Sequence, residues 1–178
     1  MANVQTAVMN TANIPPFARR TTLPREMLGS FRTLISGREY ASEFGLVNYR
    51  FNATDGRRAA HVTAVFAKEL ALAGQKTLFL PFGSLLHEVR HLDYRSEVST
   101  PHDLPARLGQ GYIVIPDLTE ALRGRGEFPV DESFAILSTH CSRGGALVLG
   151  VGPEWKHDNP TVPPSFATLL SDFTGFSV

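Results

Sequence analysis

The sequence contains one cysteine, Cys141, among its 178 residues, and it has no long uninterrupted apolar run. A single cysteine excludes an internal disulfide framework and favours a reducing compartment. The longest apolar stretches, such as residues 145–151, are far too short to cross a bilayer. The first residues also lack the basic and apolar regions of a secretory signal. We therefore expect a cytoplasmic protein.

The formal net charge is zero, because 17 Lys and Arg residues balance 17 Asp and Glu residues. The distribution is nevertheless uneven: residues 1–58 hold eight basic and four acidic residues, and residues 59–178 hold nine basic and thirteen acidic ones. A basic first third could contact an acidic partner or phosphates. Scattered, solvated arginines explain the same distribution equally well.

The order of elements predicts the fold class. Residues 1–24 show little periodicity and are expected to form a flexible arm, whereas residues 25–178 read as one α/β domain. Apolar strands alternate with helices from residue 47 onwards, which indicates a three-layer parallel sheet with helices on both faces. We predict strands at 47–53, 76–82, 111–118, 145–151 and 175–178, and helices at 25–43, 59–73, 83–94, 101–109, 131–142 and 163–173.

The stretch HEVRH contains two histidines, His87 and His91, in the spacing of the zinc-peptidase signature. In a helix over 83–94, which we expect Ser84 to cap, the two histidines share a face nearly opposite Leu85 and Val89. That face points into water, and no third-ligand spacing follows. Two solvated histidines are therefore favoured, and a zinc metallopeptidase is the alternative hypothesis.

The turn between the first strand and its helix, ATDGRRAAHV, is where a parallel α/β protein normally binds a nucleotide phosphate. A phosphate loop needs several glycines, a lysine for the terminal phosphates and a Ser or Thr for magnesium. This turn supplies one glycine, Gly56, followed by two arginines and two alanines.

The run GRRAAHVTAVFAKELALAGQKTLFLPFGSLLHEV resembles the DnaC/IstB class of AAA+ proteins, which are replicative-helicase loaders and transposition ATPases. Their corresponding segment reads approximately GTGKTHLA, so the resemblance places Gly56 at the second loop glycine and Arg58 at the third, with Arg57 between them. Ala59 then replaces the lysine, and Ala60 replaces the Ser or Thr.

The resemblance extends over roughly residues 47–178 and includes two further degenerate motifs. In YIVIPDL, Pro116 stands in place of the magnesium-binding Asp of Walker B, and Asp117 stands in place of the catalytic Glu. In GALVLGVGPEW, Gly152 stands where the sensor-1 Asn is expected, and the helical lid is missing. Phosphoryl transfer depends on positioning and charge neutralisation, so these departures together predict a pseudo-ATPase with neither nucleotide nor metal cofactor.

The resemblance implies a protein-binding role in DNA replication: a loader-like adaptor, encoded by a phage or mobile element, that engages a hexameric replicative helicase. Phe17, Arg19 and Arg20 in the arm are the partner-binding candidates, since an apolar and basic segment can order on a groove. For contact with DNA phosphates, the candidates are Arg57, Arg58, Arg123 and Arg125. A DNA-binding regulator is a second alternative, and self-association remains open.

Overall fold

The computed structural model of the chain describes residues 23–37, 46–90, 101–123, 128–155 and 162–178. Short 3-10 helices cover Pro101–Asp103 and Leu118–Arg123. The remaining elements, in chain order, are α1 (Arg25–Ser36), β1 (Tyr49–Asn52), α2 (Gly56–Leu72), β2 (Thr77–Phe79), α3 (Phe82–Arg90), α4 (Leu104–Leu108), β3 (Tyr112–Ile115), α5 (Phe128–Ser142), β4 (Ala146–Val151), α6 (Pro164–Ser171) and β5 (Thr174–Ser177).

The five strands form one parallel sheet in the order β2-β3-β4-β1-β5. Each strand is followed or preceded by a helical crossover, as parallel pairing requires. The predicted α/β class with a parallel sheet is thereby confirmed. Every residue of β3 and of β4 is buried, which is the burial expected of strands covered on both faces.

Helices lie on both faces of the sheet, and side chains alternate between two separate cores. On β3, Tyr112 and Val114 join the core under α1 and α2, whereas Ile113 and Ile115 join the core under α3 to α6. This alternation follows from the period-2 geometry of a strand. The sheet is therefore the middle of three layers, as predicted.

Helix α2 crosses the sheet from β1 to the far edge, so it must be apolar on a broad face. Phe66 makes edge-on ring contacts with Phe31 of α1 and Tyr49 of β1, each with centroids 5.0 Å apart. Arg32 of α1 adds an ion pair with the buried Glu69, at 2.9 Å. Helix α1 is thus held on α2 by aromatic packing and one ion pair.

Several helix boundaries differ from the sequence predictions; α5, for example, begins at Phe128 rather than at residue 131. Ser84 does not cap α3, because the helix already begins at Phe82 and the Ser84 amide donates to the carbonyl of Pro81 at 3.0 Å. Helix α2 begins at Gly56 rather than 59, because Asp55 provides a cap. Helix α1 ends at Ser36, where Gly37 follows, and glycine is a poor helix former.

Other predictions fall partly or wholly outside the described residues. They include residues 38–43 of the first predicted helix, residues 91–94 of the predicted 83–94 helix, and the arm up to residue 22. The division into an arm and a single domain therefore stays a prediction. Among the helices that the structure describes, none combines the length and the apolar character needed to span a membrane.

Candidate functional site at the carboxyl edge of the sheet

Three loops meet at the carboxyl edge of the sheet, after β1, β3 and β4. A Cβ placed on Gly152, after β4, would lie 3.4 Å from the amide nitrogen of Gly56 and 3.2 Å from Oγ1 of Thr119. The amide of Gly152 donates to that same hydroxyl oxygen at 3.0 Å. The three loops therefore pack directly against one another, at the place where open α/β sheets bind ligands.

Asp55 occupies the N-cap of α2 and satisfies one of the free amides of its first turn. Its backbone is extended (φ −156°, ψ 163°), and its Oδ1 accepts a hydrogen bond from the amide of Arg58 at 2.8 Å. A carboxylate is favourable here because the N-terminus of a helix carries partial positive charge. The carboxylate of Asp55 thus accepts the hydrogen bond that an oxygen of a bound phosphate would accept at this position.

Asp117 brings a second carboxylate to the same place from the end of β3. Its Oδ1 accepts from the amide of Thr119 at 2.9 Å. Its Oδ2 occupies the space that a Cβ on Gly56 would fill. Gly56 is therefore needed for the close approach of a carboxylate rather than for the wrapping of a phosphate.

The two positions where a phosphate loop carries lysine and Ser or Thr are packed into the protein. Ala59 is fully buried and Ala60 is half-buried. A Cβ on Gly150 of β4 would meet the carbonyl oxygen of Pro116 and lie 3.1 Å from that of Ala59, so α2 lies close against the sheet. The first hydroxyl along α2, that of Thr63, donates to the carbonyl of Ala59 at 2.8 Å and is buried.

The residues of this edge differ from those that hold a magnesium-bound triphosphate in a phosphate loop. A triphosphate needs free amides and a fixed cation, and here the cap amide is already bonded and two carboxylates adjoin the helix N-terminus. Near the positions that hold magnesium in a phosphate loop, the Thr63 hydroxyl is bonded within α2 and Pro116 has no side-chain oxygen, which leaves the carboxylates of Asp55 and Asp117. Those carboxylates would repel phosphates, and the nearby cations, Arg57 and Arg58, are exposed.

This architecture is similar to that of a solved protein structure. No protein-family model matches the sequence, and no curated protein matches it either. The structure of AMPPCP-bound DnaA from Aquifex aeolicus aligns with 93% of this chain and 51% of the DnaA chain, with a TM-score of 0.62 and 10% sequence identity. The chain therefore shares the fold of the aligned part of DnaA. It spans about half the length of that DnaA chain.

On this fold, the phosphate-loop residues that the sequence predicts lie together at one edge of the sheet. Gly56 opens α2, and Arg57 and Arg58 follow it with exposed side chains. Neither arginine forms an ion pair with another described residue. Arg123 ends the 3-10 helix that leaves the same edge, although its side chain is not among those described, and Arg125 lies outside the described residues.

The HEVRH motif is only partly within the described residues. His87 is exposed on α3, whereas Leu85, Leu86 and Val89 are buried, which matches the predicted apolar and polar faces. His91 lies outside the described residues, as do Phe17, Arg19 and Arg20. Within the described ranges, no three His, Cys, Asp or Glu residues come together in a way that could hold a metal.

Sequence reasoning missed the polar residues that hold the site together, namely Asp55, Thr63 and Thr119. The role of Asp55 could have been found, because an Asp directly before a helix start is a preferred N-cap. Thr119 had no such signal, since its hydroxyl meets the amide of Gly152 only after β3 and β4 have paired.

Proposed function

We propose that this chain is a replication adaptor of AAA+ fold that binds a hexameric replicative helicase, in the manner of DnaC/IstB-type loaders, and does not hydrolyse ATP. The observation that carries the proposal is the pair of carboxylates at the N-terminus of α2: Asp55 caps the helix, and Asp117 lies against Gly56. The place of the phosphates is taken by the chain's own acidic groups.

The absence of hydrolysis follows from what phosphoryl transfer requires. The reaction depends on positioning and on neutralising the charge that develops on the phosphoryl oxygens. This edge offers carboxylates where cations are needed, and Ala59 and Ala60 where a lysine and a hydroxyl would act. Without hydrolysis, we expect the domain to act by binding other macromolecules. Two indications favour a role in DNA replication.

The first indication is the resemblance of residues 47–178 to the loader class, in order, spacing and register. The second is the shared fold with DnaA. The helicase contact that we propose is the arm with Phe17, Arg19 and Arg20, which combines an apolar ring with two cations. Such an adaptor works in the cytoplasm, and encoding by a phage or mobile element fits a loader without its own motor.

Nucleotide binding is tested by calorimetry on the full chain with magnesium–ATP. We expect no binding at millimolar nucleotide, because the carboxylates repel the phosphates. The matched variant Asp117→Asn removes one charge while keeping the size of the side chain. Micromolar affinity in the unmodified chain, or turnover lost on changing Gly56, would contradict the proposal.

The helicase contact is tested with the purified replicative helicase of the organism that encodes this chain. Size-exclusion chromatography with light scattering should show a complex with the full chain. The combined variant Phe17→Ala, Arg19→Ala and Arg20→Ala should abolish it, while Arg25→Ala, which changes an exposed arginine of α1, should not. No complex with the unmodified chain, or a complex unaffected by the triple variant, would refute this assignment.

A DNA-binding regulator is the second candidate, favoured by the two exposed arginines at the start of α2. If Arg57 and Arg58 each contact a phosphate, duplex binding should weaken as salt rises. Replacing both with Gln should then reduce the slope of log affinity against log salt by about two. An unchanged slope would remove DNA contact from these residues.

A further inference from the structure

The two edge strands of the sheet are protected to different degrees against pairing with another chain. Strand β2, at one edge, is preceded by the exposed Lys76 and followed by Pro81. Charge and proline are the devices that prevent an edge strand from pairing with another chain. Strand β5, at the other edge, lies within residues 173–178, whose side chains carry no charge and include no proline; the exposed Asp172 lies two residues before the strand. Among the described residues, β5 pairs on one side only, with β1.

The hydrogen bonds of β5 show which of its groups point away from the sheet. The amides of Thr174 and Val178 donate to the carbonyls of Asn48 and Asn52, at 3.0 and 2.9 Å. Backbone groups alternate in direction along a strand. The amide and carbonyl groups of Gly175 and Ser177 therefore point outwards, where an added strand would meet them.

The two faces beside this edge have different chemistry. On one face, Phe176 and Val178 are half-buried apolar side chains, and Phe176 stacks on Phe51 with centroids 5.5 Å apart. The other face has a cation. The side chain of Arg50 reaches over Gly175, and its Nη2 lies 3.5 Å from the position of a Cβ there.

The guanidinium of Arg50 is not fully satisfied. Its Nε is buried and has no hydrogen-bond partner within the described residues. A ligand over Gly175 would meet the Nη2 end of the guanidinium rather than this buried atom. A carboxylate placed over Gly175 would approach this guanidinium without meeting a side chain on β5.

We propose that β5 binds an extended peptide of a partner protein by strand addition, with an acidic residue opposite Gly175 and apolar residues on either side of it. Main-chain hydrogen bonds to Gly175 and Ser177 supply affinity, the carboxylate pairs with Arg50, and the apolar side chains extend the surface of Phe176. This inference goes beyond the proposed function, since it holds whatever protein carries the peptide.

A second copy of the chain fits the same edge less well. Two four-residue strands bury far less than the roughly 1,200 Å² at which stable interfaces begin. An antiparallel pair of β5 strands would also bring two Arg50 guanidiniums to one face of the joined sheet, where like charges repel. A peptide with an acidic residue meets neither obstacle.

The test uses the full chain labelled with ¹⁵N and a capped peptide, Val-Thr-Val-Glu-Val-Thr. We expect the amides of Gly175 and Ser177 to shift on titration and their hydrogen exchange to slow. A matched peptide with Lys in place of Glu should bind at least about tenfold more weakly, since an ion-paired hydrogen bond is replaced by repulsion. Equal binding of the two peptides, or shifts elsewhere only, would overturn the proposal.

Two variants separate the backbone contribution from that of the charge. Ser177→Pro removes an outward amide without breaking the pairing with β1 and should abolish binding, whereas Ser177→Ala keeps that amide and should bind normally. Arg50→Gln should bind both peptides alike. If sedimentation shows a dimer that Ser177→Pro dissociates, a second copy occupies the edge and the proposal is wrong. Because neither nucleotide nor helicase is present, failure here leaves the proposed function standing.

Discussion

Polar groups lie beside buried strands at both ends of the sheet, but the two ends differ in the charge and burial of those groups. At the carboxyl end, Asp55 and Asp117 place charged groups around Gly56, near solvent. At the amino end, the ring of His140 is fully buried, and its Nε2 lies 2.9 Å from the carbonyl oxygen of Gly111. One end keeps charged groups near solvent, and the other uses a buried neutral ring as an internal hydrogen-bonding group.

Burial at the amino end also disfavours the charged forms of His140 and Cys141. Burial lowers the pKa of His140, although its hydrogen bond to Gly111 acts in the opposite direction. Burial likewise raises the pKa of the Cys141 thiol to about 12. Both groups are therefore neutral near pH 7, which distinguishes a structural end from one that carries charge to the surface.

The largest effect that we expect comes from the carboxyl end, with Gly150→Ala. The added methyl group would overlap the carbonyl oxygen of Pro116, which is backbone and cannot rotate away. Overpacking of this kind should lower the free energy of unfolding by about 3 kcal/mol. Urea denaturation measures the change. Gly29→Ala, where nothing lies within 4 Å, is the control and should stabilise α1 slightly.

The amino end is tested by His140→Leu and by pH. The variant removes one of two donors to the carbonyl of Gly111, which also accepts from the amide of Ala146 at 2.9 Å, and it changes the shape of a fully buried side chain. We therefore expect a loss of about 2 kcal/mol at pH 8. Because the folded pKa lies below the unfolded value of 6.5, the unfolded chain binds a proton first, and stability must fall as pH drops below that value.

Denaturation curves between pH 8 and 5 distinguish the two outcomes. The unmodified chain should lose stability over this range, and the slope should be shallower in His140→Leu, which has no such group to protonate. Equal slopes in the two proteins would mean that His140 ionises as freely in the folded chain as in the unfolded one.

A smaller effect is expected from Gly56→Ala at the carboxyl end. The new methyl group would displace the carboxylate of Asp117, which can rotate but would then lose its bond to the amide of Thr119. We expect a loss of about 1.5 kcal/mol by thermal or urea unfolding. If the variant Asp117→Ala/Gly56→Ala is no less stable than Asp117→Ala alone, the contact is the cause. A loss that persists would place the strain elsewhere.

The smallest effect should come from the cap of α2. Asp55→Ala removes the acceptor for the amide of Arg58 and should cost about 1 kcal/mol, while Asp55→Asn retains an acceptor and should be nearly neutral. Unfolding of both variants under the same conditions checks this. A large loss in the Asn variant would show that charge rather than hydrogen bonding stabilises this end.

The predictable part of this molecule was its local pattern. Near-continuous apolar runs predicted β2, β3 and β4, because strands covered on both faces must be apolar throughout. The prediction of β1 and β5 was also confirmed, although β1 contains polar residues and most of β5 is exposed. Boundaries were less accurate: Ser84 suggested a cap that the carbonyl of Pro81 makes unnecessary, since α3 begins two residues earlier. The sequence prediction placed Asp55 in a turn and did not identify it as the N-cap of α2.

The contacts that define the two proposed sites could not be predicted from local sequence. Gly56 meets Asp117, and Arg50 reaches over Gly175, only after strands distant in the chain have paired. Parallel register follows from the packing of whole helices on the sheet rather than from a turn signal. The composition of a site is therefore visible in the sequence, but its arrangement is not.

The close seating of α2 on β4 has a practical consequence for anyone who wishes to build a motor from this scaffold. Grafting a lysine at position 59 and a threonine at 60 would leave the lysine stem without an open path to solvent, because the methyl group of Ala59 is already enclosed. Such a lysine should therefore destabilise the packing of α2 on the sheet unless the helix backbone moves.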